Sequence, residues 1–265
     1  MRHRSRRGRP LTAPQMLFLF AAGLAGGFLN AIAGGATFFT FPAMMAAGLN
    51  PISANASSTV ALWPASVAAA WAERRELIAQ RAQIAPLLAI ALAGGLAGAL
   101  LLLVTPQPTF RALVPVLLLI ATLVFAFSGR IIRFLRARRP VRPEGRGLRS
   151  PAVLALIGFC AVYGGYFGAG IGIMMMAGLT LAGTGEVHVA NAIKNFLAAS
   201  INGIAVIVFV TSQIVVWPAS LVMLAGAVGG GYLGGRAARY IPAGLLRFVV
   251  ITVGSLLTIW YFVRL

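Results

Sequence analysis

Ala54-Asn55-Ala56-Ser57-Ser58-Thr59 and Ala190-Asn191-Ala192-Ile193-Lys194-Asn195 stand in one register, 136 positions apart. The same shift superposes Gly34 on Gly170, Gly94, Gly95 and Gly98 on Gly230, Gly231 and Gly234, Pro106 on Pro242, Arg111 on Arg247, and Thr122 on Thr258, with no insertion. Chance similarity does not keep one register through glycine, proline and charged positions over a hundred residues, so the chain reads as a unit occurring twice. In an apolar chain such a repeat marks a transporter, with the substrate site expected where the two units face each other.

Apolar residues make up 60% of the chain and charged ones 10%, against roughly 25% charged in a soluble domain. Apolar runs long enough to cross a hydrocarbon core of roughly 30 Å as helices occur around 15–33, 54–72, 84–104, 110–129, 151–167, 190–210, 215–235 and 245–263. They are continuous and rich in Leu and Ala, whereas a β-barrel alternates in ten-residue segments. The expected fold is therefore an all-α integral membrane protein, with backbone polarity satisfied inside each span.

Each half opens on an apolar stretch broken by glycine, at Gly34-Gly35 and at Gly164-Gly165 through Gly168, Gly170 and Gly172. A piece too short to span follows, about 37–48 and 173–183, readable as a re-entrant segment, the second part of a broken helix or a tilted span. The net charge of +18 fixes orientation rather than nucleic-acid binding, because no aromatic residues interleave the arginines to stack bases. Five arginines precede the first span, Arg74, Arg75 and Arg81 share a loop, and eight fill the stretch 130–149. The positive-inside rule places all three segments in the cytoplasm. Four crossings per half satisfy that rule, put the C-terminus on the same side and make the repeats parallel. The expected architecture is thus two repeats of four transmembrane helices with glycine-broken first segments; the alternative is ten helices in an inverted five-plus-five arrangement. Its parts are a basic cytoplasmic N-terminus over 1–14, a first repeat over 15–129, an Arg-rich cytoplasmic linker over 130–150 and a second repeat over 151–265. Ala31-Ile32-Ala33 imitates a signal-peptide cleavage site, but cutting there would split the repeated unit at Gly34, so no cleavage is expected. Gly94-xxx-Gly98 and Gly230-xxx-Gly234 read as close helix packing.

The polar residues inside apolar runs carry the chemistry. Asn55, Ser58 and Thr59 fall on one helix face, matched by Asn191, Lys194 and Asn195, and two turns on Ser66 matches Asn202. Such groups turn inward, because burial in lipid without partners costs several kcal/mol. Lys194 is the only lysine; a cation among neutral donors makes an anion site, with snorkelling to the headgroups as the competing account. Glu186 and His188 are potential partners of Lys194. Backbone N–H groups freed at Gly34, Gly35, Gly168 and Gly170, with the helix N-termini that follow, suit an oxyanion. No aspartate occurs and only four glutamates do, so a buried carboxylate relay is largely lacking. A monovalent anion leaving a cell negative inside gains about 2.3 kcal/mol per 100 mV, so export runs on the potential alone. An enzyme is disfavoured, since no nucleophile motif or histidine pair exists and Glu73 and Glu76 sit beside arginines. Cys160 is the only cysteine, so no thiolate metal cage and no cofactor is expected. Met44-Met45 and Met174-Met175-Met176 keep soft-metal transport as an alternative, although methionine more often fills gaps.

The segment from Gly27 through Asn30, Gly34, Gly35 and Thr37 to Pro42, followed by Ser53 to Thr59, resembles the first signature of the TauE/SafE sulfite exporter family. Gly164-Gly165-Tyr166-Phe167-Gly168-Ala169-Gly170 followed by Ala190 to Asn195 resembles the second, and the similarity runs from about residue 16 to 263. The resemblance implies a multi-pass permease of the bacterial inner membrane for small sulfur-containing or organic anions such as sulfite, sulfonates or sulfoacetate. The partners expected are therefore a small anionic substrate and membrane lipid, no nucleic acid, with a homo-oligomer left open. Its site is expected near the midplane between the Asn55/Ser58/Thr59 and Asn191/Lys194/Asn195 faces.

Overall fold

The computed structural model describes residues 11–32, 35–138, 147–182, 187–237 and 243–263. Among them every regular element is helical: α1 (Ala13–Ile32), α2 (Thr37–Ala46), α3 (Pro51–Ala72), α4 (Arg74–Ala79), α5 (Arg81–Val104), α6 (Gln107–Arg138), α7 (Pro151–Tyr166), α8 (Ile171–Leu181), α9 (Val187–Thr211), α10 (Trp217–Ala237) and α11 (Ala243–Val263). Four segments, Ala13–Asn30, Arg81–Val104, Gln107–Phe127 and His188–Thr211, are long and apolar enough to cross a membrane.

Local sequence explains the boundaries. Pro51 follows Asn50, whose Oδ1 accepts from the Ser53 amide at 2.9 Å, and Pro151 follows Ser150, whose Oγ accepts from the Val153 amide. A polar cap followed by proline at the first helical position starts α3 and α7. The breaks fall at Gly35 (φ +97°) and at Gly168 and Gly170 (φ +82° and +75°), a left-handed backbone that a Cβ disfavours. Gly164 and Gly165 do not break the chain as expected. They stay helical inside α7, where a Cβ on Gly164 would strike Ile171 and one on Gly165 the carbonyl of Gly95. Gly34 lies outside the described residues.

Short contacts fix which helix ends lie together. Gln15 Nε2 donates to the Ala47 carbonyl at 3.2 Å and Gln107 Nε2 to Asn50 Oδ1 at 2.8 Å. The start of α1, the α2–α3 turn and the α5–α6 corner therefore share one end, here called the first end. At the second end Arg149 Nη2 donates to the Ala82 carbonyl at 2.8 Å and Gly147 abuts Ala182. That end gathers the α3–α4–α5 corner, the start of α7 and the finish of α8.

Two antiparallel hairpins result, entering from opposite ends. In α1–α2 the pairing runs from Gln15 beside Ala47 to Gly26 beside Ala36; in α7–α8 it runs from Leu156 beside Gly178 to Gly164 beside Ile171. Each returns to the end it started from, leaving α3, α5 and α6 as the net crossings of the first half. Four crossings per half would instead bring the start of α1 and the Arg74–Arg81 loop to one end. The glycine break turns the chain back instead of letting it continue, so α1 starts at the end opposite Arg74, Arg75 and Arg81.

The hairpins are fastened crosswise. α1 lies along α10, and α5 lies along α7. A Cβ on Gly23 or Gly27 would run into the backbone of Met223 or Ala227, and one on Gly226, Gly230 or Gly234 into Phe20, Leu24 or Phe28. Gly98 meets Val162 in the same way, and Gly94 the side chain of Ala161. The small-residue motifs thus act as read from sequence: they let backbones touch.

Candidate substrate site

α2 and α8 begin at the hairpin tips, and both N-termini border one cavity of about 950 Å³. Gly35, Ala36 and Thr37 contribute from the first tip, Gly168, Gly170 and Gly172 from the second. A helix N-terminus carries about half a positive charge in partial charges on its unpaired N–H groups. Two converging on one space make an environment suited to an anion.

α9 supplies the polar wall. Asn191, Lys194, Asn195 and Asn202 all face this space, as does Ser66 from α3. Lys194 extends past the first turn of α8, where a Cβ on Gly172 would stand 3.6 Å from its Cδ. Its Nζ donates to Asn191 Oδ1 at 2.7 Å, which turns the amide nitrogen of Asn191 the other way. That nitrogen donates to Glu73 Oε1 at 2.6 Å, and Asn195 Nδ2 donates to Glu73 Oε2 at 2.7 Å. The lysine therefore points inward along a hydrogen-bonded chain instead of snorkelling to headgroups.

Glu73 is the residue that sequence reasoning missed. It lies at the junction of α3 and α4, and its position next to Arg74 and Arg75 suggested a solvated loop. The available clue was its place directly after the apolar run of α3, within reach of the partly buried Lys194. Glu186 lies outside the described residues, and His188 is exposed at the start of α9.

Asn55, Ser58 and Thr59 do not line the cavity. Asn55 is 1% exposed and donates through Nδ2 to the Tyr166 carbonyl at 3.0 Å. Its Oδ1 has no hydrogen-bond partner among the described residues. The Ser58 hydroxyl pairs with that of Thr40 at 2.6 Å, and Thr59 Oγ1 donates to the Asn55 carbonyl at 2.9 Å within its own helix. Around them the first end is filled by rings: Phe41 on Phe167 at 5.4 Å and Phe110 on Tyr166 at 5.5 Å, both edge-to-face. Ser57 adds two ties, accepting from the Val216 amide at 2.9 Å and, through its carbonyl, from Ser220 Oγ at 3.2 Å. The Asn55, Ser58 and Thr59 stretch of α3 is thus packed shut, while Ser66 and the polar face of α9 border open space reaching Glu73 at the second end.

Met44 and Met175 are fully buried in two different apolar clusters, Met45 and Met174 pack against the first of these, and Met176 borders the cavity.

Known proteins with similar sequences are membrane transporters by name. A probable membrane transporter protein, ORF9, from a Sinorhizobium species is 30% identical over 92% of this chain and 91% of the relative. The probable membrane transporter protein YfcA of Escherichia coli K12 is 28% identical over 94% and 90% respectively, and a probable membrane transporter protein of Haemophilus influenzae is 27% identical over 92% of each. No solved structure matches. The model of the family described as sulfite exporter TauE/SafE matches residues 19–261, so this chain belongs to that family and is a membrane transporter.

Proposed function

We propose that the chain is a permease exporting small sulfur-containing or organic anions, of the sulfite, sulfonate or sulfoacetate class, down the membrane potential. One observation carries the reading: both short-helix N-termini, Lys194 and the amides of Asn191, Asn195 and Asn202 meet in one cavity. Neutral donors, one cation and two helix dipoles suit an oxyanion and leave a cation poorly served.

We further read the two halves as inverted repeats. Under the 136-residue shift α1, α2, α3, α5 and α6 fall on α7, α8, α9, α10 and α11, and the two hairpins enter from opposite ends. Inverted repeats with half-helix N-termini at the bilayer midplane are a recurrent transporter plan, in which access alternates between the two sides of a fixed site. On this reading the cavity-bearing end is cytoplasmic. It carries Arg74, Arg75 and Arg81 and receives the arginine-rich linker, the larger share of the basic residues. Arg236, at the end of α10, then also falls on that side.

Asn55, Ser58 and Thr59 belong to the site of the opposite-facing form. They stand at the positions that Asn191, Lys194 and Asn195 hold on the open side, and the unpartnered Asn55 Oδ1 is a buried acceptor that this form leaves unused. The test is flux from proteoliposomes with an imposed potential and a panel of sulfite, sulfonates and carboxylates. Potential-dependent efflux of at least one sulfur oxyanion is expected, and silence across the panel refutes the reading.

A further inference from the structure

We propose that Glu73 is a tethered competitor for the substrate: its carboxylate occupies the anion site, and a transported anion binds by displacing it. The inference rests on the anion reading above and deepens it. A glutamate carboxylate presents two oxygens that accept hydrogen bonds and carry no donor, and a sulfonate or carboxylate substrate presents the same face. Glu73 holds both of the nearest donors, one oxygen on Asn191 Nδ2 and the other on Asn195 Nδ2. It also acts electrostatically on Lys194, whose ammonium orients Asn191 toward it. The three α9 residues arranged as an oxyanion receptor are therefore already serving an oxyanion that belongs to the protein.

Its position suits a removable occupant. Glu73 is a single residue between two helices, half-buried at the mouth of the cavity, and α4 beyond it has no buried residue. A displaced side chain swings into water beside Arg74 and Arg75 without disturbing the core. The device exists on one side only, because the position 136 residues later is Phe209, 1% exposed in the core. Filling the empty site with an internal carboxylate keeps Lys194 and two amides paired while no substrate is present. It also sets a threshold, since only an anion with at least two well-placed acceptor oxygens replaces what it removes.

The experiment compares wild type with Glu73→Ala and Glu73→Gln, using ethanesulfonate as the probe in proteoliposome efflux and in thermal-shift titration of purified protein. With the competitor gone, KM and the thermal-shift Kd should both fall about tenfold in Glu73→Ala. Glu73→Gln should fall less, because its carbonyl still accepts from one amide. Unchanged or weaker binding in a folded variant overturns the proposal and leaves Glu73 as a residue that merely positions Asn191 and Asn195. A readout on wild type covers variants that do not fold: carbodiimide coupling of an amine to Glu73, followed by mass spectrometry, should accelerate when ethanesulfonate saturates the site. Slower coupling overturns the proposal. Wild-type efflux with no effect at Glu73 sinks this inference alone, whereas absence of wild-type efflux and of any thermal shift across the panel removes the anion reading and this inference with it.

Discussion

Trp63 donates its indole N–H to the carbonyl of Ala199 at 3.0 Å, and the two residues are 136 positions apart. A residue bonded to its own counterpart sits where the proposed symmetry axis passes, between α3 and α9. These two helices carry the closed and the open polar faces, so on the inverted-repeat proposal the bond joins the two surfaces whose roles would exchange.

Replacing Lys194 by Met keeps the length of the side chain and removes the charge. Loss of one charge-assisted contact of about 1.5–3 kcal/mol should lower sulfonate efflux by roughly 10- to 100-fold, with protein still present in the membrane fraction. Quantified efflux against membrane-inserted protein checks it, and unchanged flux excludes the lysine from the site.

The Thr40–Ser58 pair offers a lock. With the hydroxyl oxygens 2.6 Å apart and the native Cys160 buried, Thr40→Cys with Ser58→Cys should form a disulfide under oxidation. Transport should stop in the oxidised double variant and return on reduction. Transport that persists with the bond demonstrably formed would show that the first end need not open there.

Sidedness distinguishes the crossing counts directly. Single cysteines replacing Thr105 and Gln80 should react with a membrane-impermeant thiol reagent from opposite faces of the membrane, because the α5–α6 corner and the α4–α5 corner lie at opposite ends. A cysteine at Thr12 should label together with Thr105. Thr12 labelling together with Gln80 would restore the even crossing count expected from charge alone.

Glycine packing gives a paired control. Gly230→Leu drives a side chain into the backbone of Leu24, whereas Gly229 has nothing within 4 Å. Overpacking against rigid backbone costs about 1–3 kcal/mol or more, so Gly230→Leu should lower the melting temperature and folded yield while Gly229→Leu leaves both near wild type. Equal tolerance would mean that α1 and α10 separate easily.

Much of this molecule is legible in one dimension because its constraints are local. Among the described residues four of the eight apolar runs are long and apolar enough to span, whereas the breaks at Gly35, Gly168 and Gly170 and the Asn191/Lys194/Asn195 face follow from backbone freedom and helical spacing. The direction of the chain after Gly35 does not: a break says that a helix stops, and only contacts such as Gln15 with Ala47 decide that α2 runs back. Charge counting reads no such turn, since it weighs arginines without knowing which way the chain runs after a break. Ser58 and Lys194 hold matching positions yet meet different surroundings, one closed by aromatic rings and one lining a cavity, a difference set by tertiary packing and not by local spacing. Glu73 escaped notice because reach across to α9 is a property of three dimensions.

The crosswise glycine seams also bear on biogenesis. Since α1 seats its backbone against α10, α1 lacks its partner until a helix nine elements later has been made. Neither half, made alone, holds both faces of either seam, so a chain severed in the linker should regain activity only when both fragments are produced together.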